Sequence, residues 1–244
     1  MTNSILVTFP DILLGHNKIE KFRKEVIEQN DRLADIFHNH TPEGGLMARY
    51  PKVQYRVRQD YVSGREMAAL WGVAEGVKAI KGFLLELENV PFNTDPVQTE
   101  IGLCETPKTY RINHVLPFND ANWLAYKEAR SIRQRLKIIE QALVGNLLFF
   151  CKEMDYQIPN KGLVLEVLDV RELGMKHCPT EGKDDLYLMA FDVIYEANIL
   201  LPEHLGMGRF KAKGYGWQVE TEKLKFSTFQ TKRSRKYQKN EVLA

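Results

Sequence analysis

Long apolar runs are missing from this 244-residue sequence, and none approaches the ~20 residues needed to span a bilayer. The opening Met1-Thr-Asn-Ser, followed by Ile5–Phe9, lacks the basic start, apolar centre and cleavage site of a signal peptide. A cytoplasmic protein with no membrane association is expected. Cysteine is equally sparse: Cys104, Cys151 and Cys178 stand far apart with no paired spacing, which argues for reduced thiols and against a disulfide framework. His177-Cys178 is a poor half-site for zinc, with no second cluster at ligand spacing, so no metal and no cofactor are expected.

An excess of one charge is also lacking overall, since the net formal charge is only +2. The distribution is not even. Residues 205–239 hold ten Lys or Arg against two Glu, a local +8 that leaves −6 for the rest of the chain. Such concentration is an argument about partners, because a phosphate backbone responds to local positive potential and not to the global sum. For the last dozen residues, a solvated basic tail explains the charge equally well.

The element order is the next clue. Ile5–Phe9 reads as a strand, Asn17 and Glu20 as a capping box, and Ile19, Phe22, Val26 and Leu33 as one helix face. His38–Ala48 is a loop, and Val53, Tyr55 and Val57 alternate with Gln54, Arg56 and Arg58 to give a strand with an apolar and a cationic face. Glu66–Gly72 follows as a strand, Val73 to Leu87 as an amphipathic helix, and Val97–Cys104 as a strand. This order is ferredoxin-like. The second half offers a strand at Tyr110–Leu116 and one long helix capped by Asn119 or Asp120, which Gly145 could bend. Strands at Leu163–Val170 and Leu186–Leu200 follow, with a last one from about Tyr215 and no clear second helix. The expected fold is α+β: tandem ferredoxin-like domains with antiparallel sheets, the second with a reduced second helix. The boundaries read as 1–106, 107–230 and a basic tail, 231–244.

Leu205-Gly-Met-Gly-Arg-Phe-Lys-Ala-Lys-Gly-Tyr-Gly-Trp217 carries two Gly-x-Gly pairs five residues apart. It is neither a dinucleotide fingerprint, with Lys211 where a third glycine is needed, nor a Walker loop, with no Gly-Lys-Ser/Thr. Gly206, Gly208, Gly214 and Gly216 permit close backbone approach. Arg209, Lys211 and Lys213 add charge, and Phe210, Tyr215 and Trp217 offer stacking surfaces. A hairpin with core aromatics and solvated lysines is the competing reading. The interleaving of cations with aromatics favours RNA or another polyanion.

This loop before a last strand, Leu201-Pro-Glu-His-Leu-Gly-Met-Gly leading to Lys213-Gly-Tyr-Gly-Trp217, resembles that of the RAMP superfamily of CRISPR-associated proteins. It is most like the precursor-crRNA endoribonucleases of the Cas six type. Phe37-His-Asn-His40, Arg49-Tyr-Pro51 and Val53-Gln-Tyr-Arg56 resemble one branch of that family, in which a His-x-His loop precedes such a strand. The resemblance implies metal-independent cleavage at the base of a repeat hairpin, leaving a 5′-hydroxyl and a 2′,3′-cyclic phosphate or 3′-phosphate. It places His38, His40 and Tyr50 in the catalytic role. Its implied partners are CRISPR repeat RNA or crRNA and other effector subunits, for a monomer or homodimer. A non-catalytic crRNA-binding subunit of the same fold is the alternative.

The residues fit that chemistry on their own terms. Attack by the 2′-hydroxyl needs one group to take a proton, one to give a proton to the departing 5′-oxygen, and charge to steady the phosphorane. Two imidazoles titrating near neutrality can share the proton transfers. Arg49, Lys52 and Arg56, with the glycine-loop residues, are the candidate RNA contacts. A pair of solvated loop histidines is the plainer reading of His38 and His40 taken alone. His16 is a weaker candidate, and His114 and His204 read as structural.

Overall fold

In a computed structural model, the structure describes residues 2–15, 18–29, 36–37, 49–59, 63–159, 162–178, 186–222 and 225–226. The chain forms two four-stranded antiparallel sheets, the first from β1 (Thr2–Leu13), β2 (Val53–Gln59), β3 (Glu66–Val73) and β4 (Asn93–Thr99). Its strand order is β2-β3-β1-β4, with α1 (Ile19–Glu28) and α2 (Glu75–Glu86) as connections. The second contains β5 (Gly102–Val115), β6 (Leu165–Cys178), β7 (Leu186–Leu200) and β8 (Trp217–Glu220) in the order β6-β7-β5-β8. These are the same order twice, so the tandem ferredoxin-like α+β fold is established. Residues 201–216 replace the second helix of the second unit with a loop holding one 3-10 turn, Lys211–Lys213.

The Val97–Cys104 strand and the single long helix both need correction. The chain leaves the first sheet at Thr99 and enters the second at Gly102, so two strands on different sheets share that stretch. The helix is two: α3 (Asp120–Glu128), capped by Asn119, and α4 (Ile132–Glu153), capped by Ser131. Ser131 accepts from the Gln134 amide, and the Gln134 side chain accepts from the Ser131 amide, a capping box that starts a new helix. The expected helix passes through residues 129–131 because apolar periodicity continues on both sides of the break.

Burial is unusual in the first sheet. Strand alternation puts Ile5, Val7, Phe9, Val53, Tyr55, Ala68 and Leu70 on one face, packed with Phe22, Val26, Ile80 and Phe83 of the helices. Leu6, Ala69, Trp71 and Val73 point the other way and join the core of the second unit, with Leu147, Phe150, Leu205 and Met207. The first sheet is thus a middle layer, with helices on one face and the second half of the chain on the other.

Candidate functional site

The seam between the halves holds the glycine loop. Tyr50, just before β2, is 1% exposed. Its hydroxyl donates to the Gly206 carbonyl at 2.8 Å and accepts from the Gly206 amide at 3.1 Å. Its ring lies edge-on to Phe150, 4.9 Å between centroids. Arg56 is fully buried, donates to the Lys211 carbonyl at 2.7 Å and also bonds the Gln54 side chain. Lys52 donates to the Glu153 carbonyl at 2.9 Å, placing a cation at the negative end of α4. Lys213 reaches Glu20 of α1 at 2.6 Å. Four side chains from the first half therefore fasten the loop and its neighbouring helix in place.

The glycines answer to this packing. A Cβ on Gly206 would overlap Gln54 and Arg56, and one on Gly208 would stand 2.7 Å from the Leu116 carbonyl. Gly216 has φ +67° and sits against the Met207 carbonyl, while the Met207 amide donates to the Gly216 carbonyl at 2.9 Å. Gly214, at φ +88°, ends the 3-10 turn in the left-handed region that glycine occupies without strain. Asn146 of α4 accepts from the Gly208 amide at 3.0 Å. The loop is a closed, internally bonded unit, and the aromatic Trp217 donates to His204 at 2.8 Å.

The electrostatics follow from burial. Burial drives the Tyr50 hydroxyl far above its ordinary range, so it stays protonated as a donor. Burial also lowers Arg56 to about 10, and it remains charged at neutral pH. Lys211 is lowered to about 8 by burial; its ammonium lies 5.5 Å from the Tyr50 ring centroid and 5.7 Å from that of Phe149. Among the described residues no carboxylate pairs with it. His204 is lowered to about 4, first by burial and then by Arg58 and Arg56, and so is neutral and structural.

Against the expectations, several assignments change. The cationic face of β2 is closed at Gln54 and Arg56, both 0% exposed and supporting the loop from beneath, while Arg58 beyond them is half-buried. Arg56 and Gly206 therefore do not meet phosphate in this arrangement, and Lys52, 8% exposed, is occupied by α4 and by Glu75 at 3.7 Å. The Tyr50 hydroxyl donates to and accepts from Gly206, so its side chain ties β2 to the glycine loop. The half-buried Arg49, Arg209 and Lys213, together with Lys211, are the cations nearest the surface of the seam. Arg209 stands 3.7 Å from the exposed Asp120. His38 and His40 lie outside the described residues, as does His16. Glu20, Asn146 and Glu153 escaped notice as partners of the loop and its frame. Only Glu20 had any signal, as a capping-box residue. No group of three or more His, Cys, Asp or Glu placed to hold a metal occurs among the described residues, and none of their helices is long and apolar enough to cross a membrane.

Family comparison matches both halves: the Cas6b N-terminal domain over residues 4–108 and the Cas6b C-terminal domain over residues 102–221. The chain belongs to the Cas6b family. An uncharacterized protein of Methanocaldococcus jannaschii is 29% identical over 124 residues, covering 50% of this chain and 79% of its own length. Among solved structures, a crystal structure of Cas6b is 21% identical with a TM-score of 0.70, covering 90% of this chain and 99% of that one. A structure titled CRISPR RNA processing endoribonuclease Cas6b is 20% identical with a TM-score of 0.66, covering 91% and 100%. A type IV Cas6 crRNA endonuclease, Csf5, has 12% identity and a TM-score of 0.63, covering 91% and 100%. At these identities the structures speak to the fold, and the family models carry the membership. In this Cas6b chain the seam joins the loop of one matched domain to a strand of the other.

Proposed function

We propose that this Cas6b chain is an endoribonuclease that cuts CRISPR repeat RNA without a metal ion and binds it over the seam. The observation that carries the reading is the family match over residues 4–221, which spans the His38/His40 segment, β2 and the glycine loop in one chain. In this reading one histidine takes the proton of the 2′-hydroxyl, which attacks the adjacent phosphorus. The other protonates the departing 5′-oxygen, so the products are a 5′-hydroxyl and a 2′,3′-cyclic phosphate. Arg49, Arg209, Lys211 and Lys213 supply the positive potential that holds the backbone and steadies the phosphorane. Phosphate beside Lys211 would restore the charge that burial disfavours, so RNA and this ammonium stabilise each other.

The test is incubation of the purified chain with labelled repeat RNA in excess EDTA. One cut with a 5′-hydroxyl on the downstream fragment is the expected result. Tight binding with no cut in EDTA or with any divalent metal would leave a crRNA-binding subunit as the function.

Tyr50→Phe separates a clamp from a catalyst. It strips both partners from buried Gly206, so a loss of about 1–3 kcal/mol in folding stability is expected, with a small change in single-turnover rate. A hundredfold slower cut at unchanged stability would return Tyr50 to the catalytic set.

A further inference from the structure

The outer face of the second sheet, away from α4, carries a preformed aromatic cradle that the cleavage reading does not use. Register places Asp169 of β6 and Arg111 of β5 on either side of Ile194 of β7, with Arg171 beside Asp192 in the next row. Both guanidinium groups are held by neighbours. Asp192, 2% exposed, accepts from Arg171 Nε at 3.1 Å and from the His114 amide at 2.9 Å. Arg111 Nε donates to Asn113 at 2.8 Å. Against these two planes lies the ring of Phe226, with centroid distances of 4.9 Å to Arg171 and 5.3 Å to Arg111. The Phe226 amide donates to Asp169 Oδ2 at 2.8 Å.

We infer that this face is a second RNA site, which takes one unpaired cytosine of a single strand, and that Phe226 occupies it as an internal stand-in. The inference rests on the RNA reading above. Guanidinium planes stack on any base, and open ferredoxin-like sheets present bases in this way. The ring that sits there now is six-membered, the size of a pyrimidine. The group it brings to Asp169 is an N–H donor. Cytosine offers the same pair, a six-membered ring and an exocyclic amino donor for a carboxylate, whereas uracil offers a carbonyl at that position. Arg171 is neutralised by Asp192, whereas among the described residues no carboxylate pairs with Arg111, whose charge can meet the flanking phosphate.

The probe is fluorescein-labelled octacytidine, with octauridine beside it, titrated by anisotropy into the full chain and its Phe226→Ala variant. Removing the ring is expected to tighten octacytidine by about fivefold or more, with a smaller gain for octauridine. Arg111→Lys added to that variant keeps the charge but removes the plane, and should cancel the gain. Asp169→Asn added instead should erase the preference for cytosine. Unchanged octacytidine affinity in Phe226→Ala, or a gain that survives Arg111→Lys, overturns the site and leaves Phe226 as a packing residue. Repeat RNA is cut by the wild-type chain in parallel reactions. An intact cut with no effect at Phe226 defeats this inference alone, and absence of any RNA binding defeats it together with the reading it rests on.

Discussion

Replacing His38 or His40 with alanine is expected to slow cleavage of repeat RNA by about 10²–10⁴-fold for each histidine, with little change in RNA affinity. The reason lies in the chemistry of the 2′-hydroxyl. That group is a poor nucleophile while protonated, and the 5′-alkoxide is a poor leaving group until it receives a proton. A side chain that titrates near neutrality is ready to do either at physiological pH. Because one histidine must be neutral and the other charged, the single-turnover rate should pass through a maximum with pH. Alanine at either position should flatten one limb of that profile. A pair that acts as a unit will not lose rate additively, so the double variant should fall short of the product of the two single losses. Single-turnover rates that stay within a few-fold of wild type in both alanine variants would remove the histidines from the mechanism.

Gly216→Ala carries the second large effect, this time on folding. Its φ of +67° imposes left-handed strain of roughly 1–2 kcal/mol on any residue with a Cβ. The Cβ would also overlap the Met207 carbonyl, a backbone atom tied to the same glycine by the Met207 amide. Relief requires separating the two ends of the loop, which breaks the ladder that holds it. A total cost of about 2–5 kcal/mol is expected, a large part of the stability of an ordinary domain. RNA binding should fall with it, because Arg209, Lys211 and Lys213 lie between the two ends. Gly174→Ala is the control, since φ there is +82° but the space is open, leaving strain alone. Equal denaturation midpoints for the two variants would disprove the packing account of Gly216.

The two halves of the fold were legible because element order and periodicity are local properties, and the residues that make them are close in sequence. Even the missing second helix near residues 201–216 could be read from its glycines. What could not be read was which surfaces meet. The alternation of Val53, Tyr55 and Val57 with Gln54 and Arg56 reports shared faces, but periodicity is silent on what covers a face. Arg56 therefore looked like a solvent-facing cation, and its carbonyl partner is Lys211, 155 positions away. Gly206 and Tyr50 are separated by 156 positions, so their bond had no local signature either. Motif resemblance links Tyr50 with the loop, and the geometry adds the bond between them. The Ser131 cap was readable in principle from Ser-x-x-Gln, yet the apolar stripe masked it.

The middle-layer position of the first sheet also shapes how the chain comes off the ribosome. Strands β1 to β4 are complete by Thr99, yet the cluster that Leu6, Ala69, Trp71 and Val73 join is complete only when the segment containing Leu205 and Met207 has been made. At translation speeds of roughly 5–20 residues per second, that interval lasts on the order of 5–20 s. Until then that face of the first sheet lacks part of its apolar cover, and exposed apolar surface of this kind favours association between nascent chains.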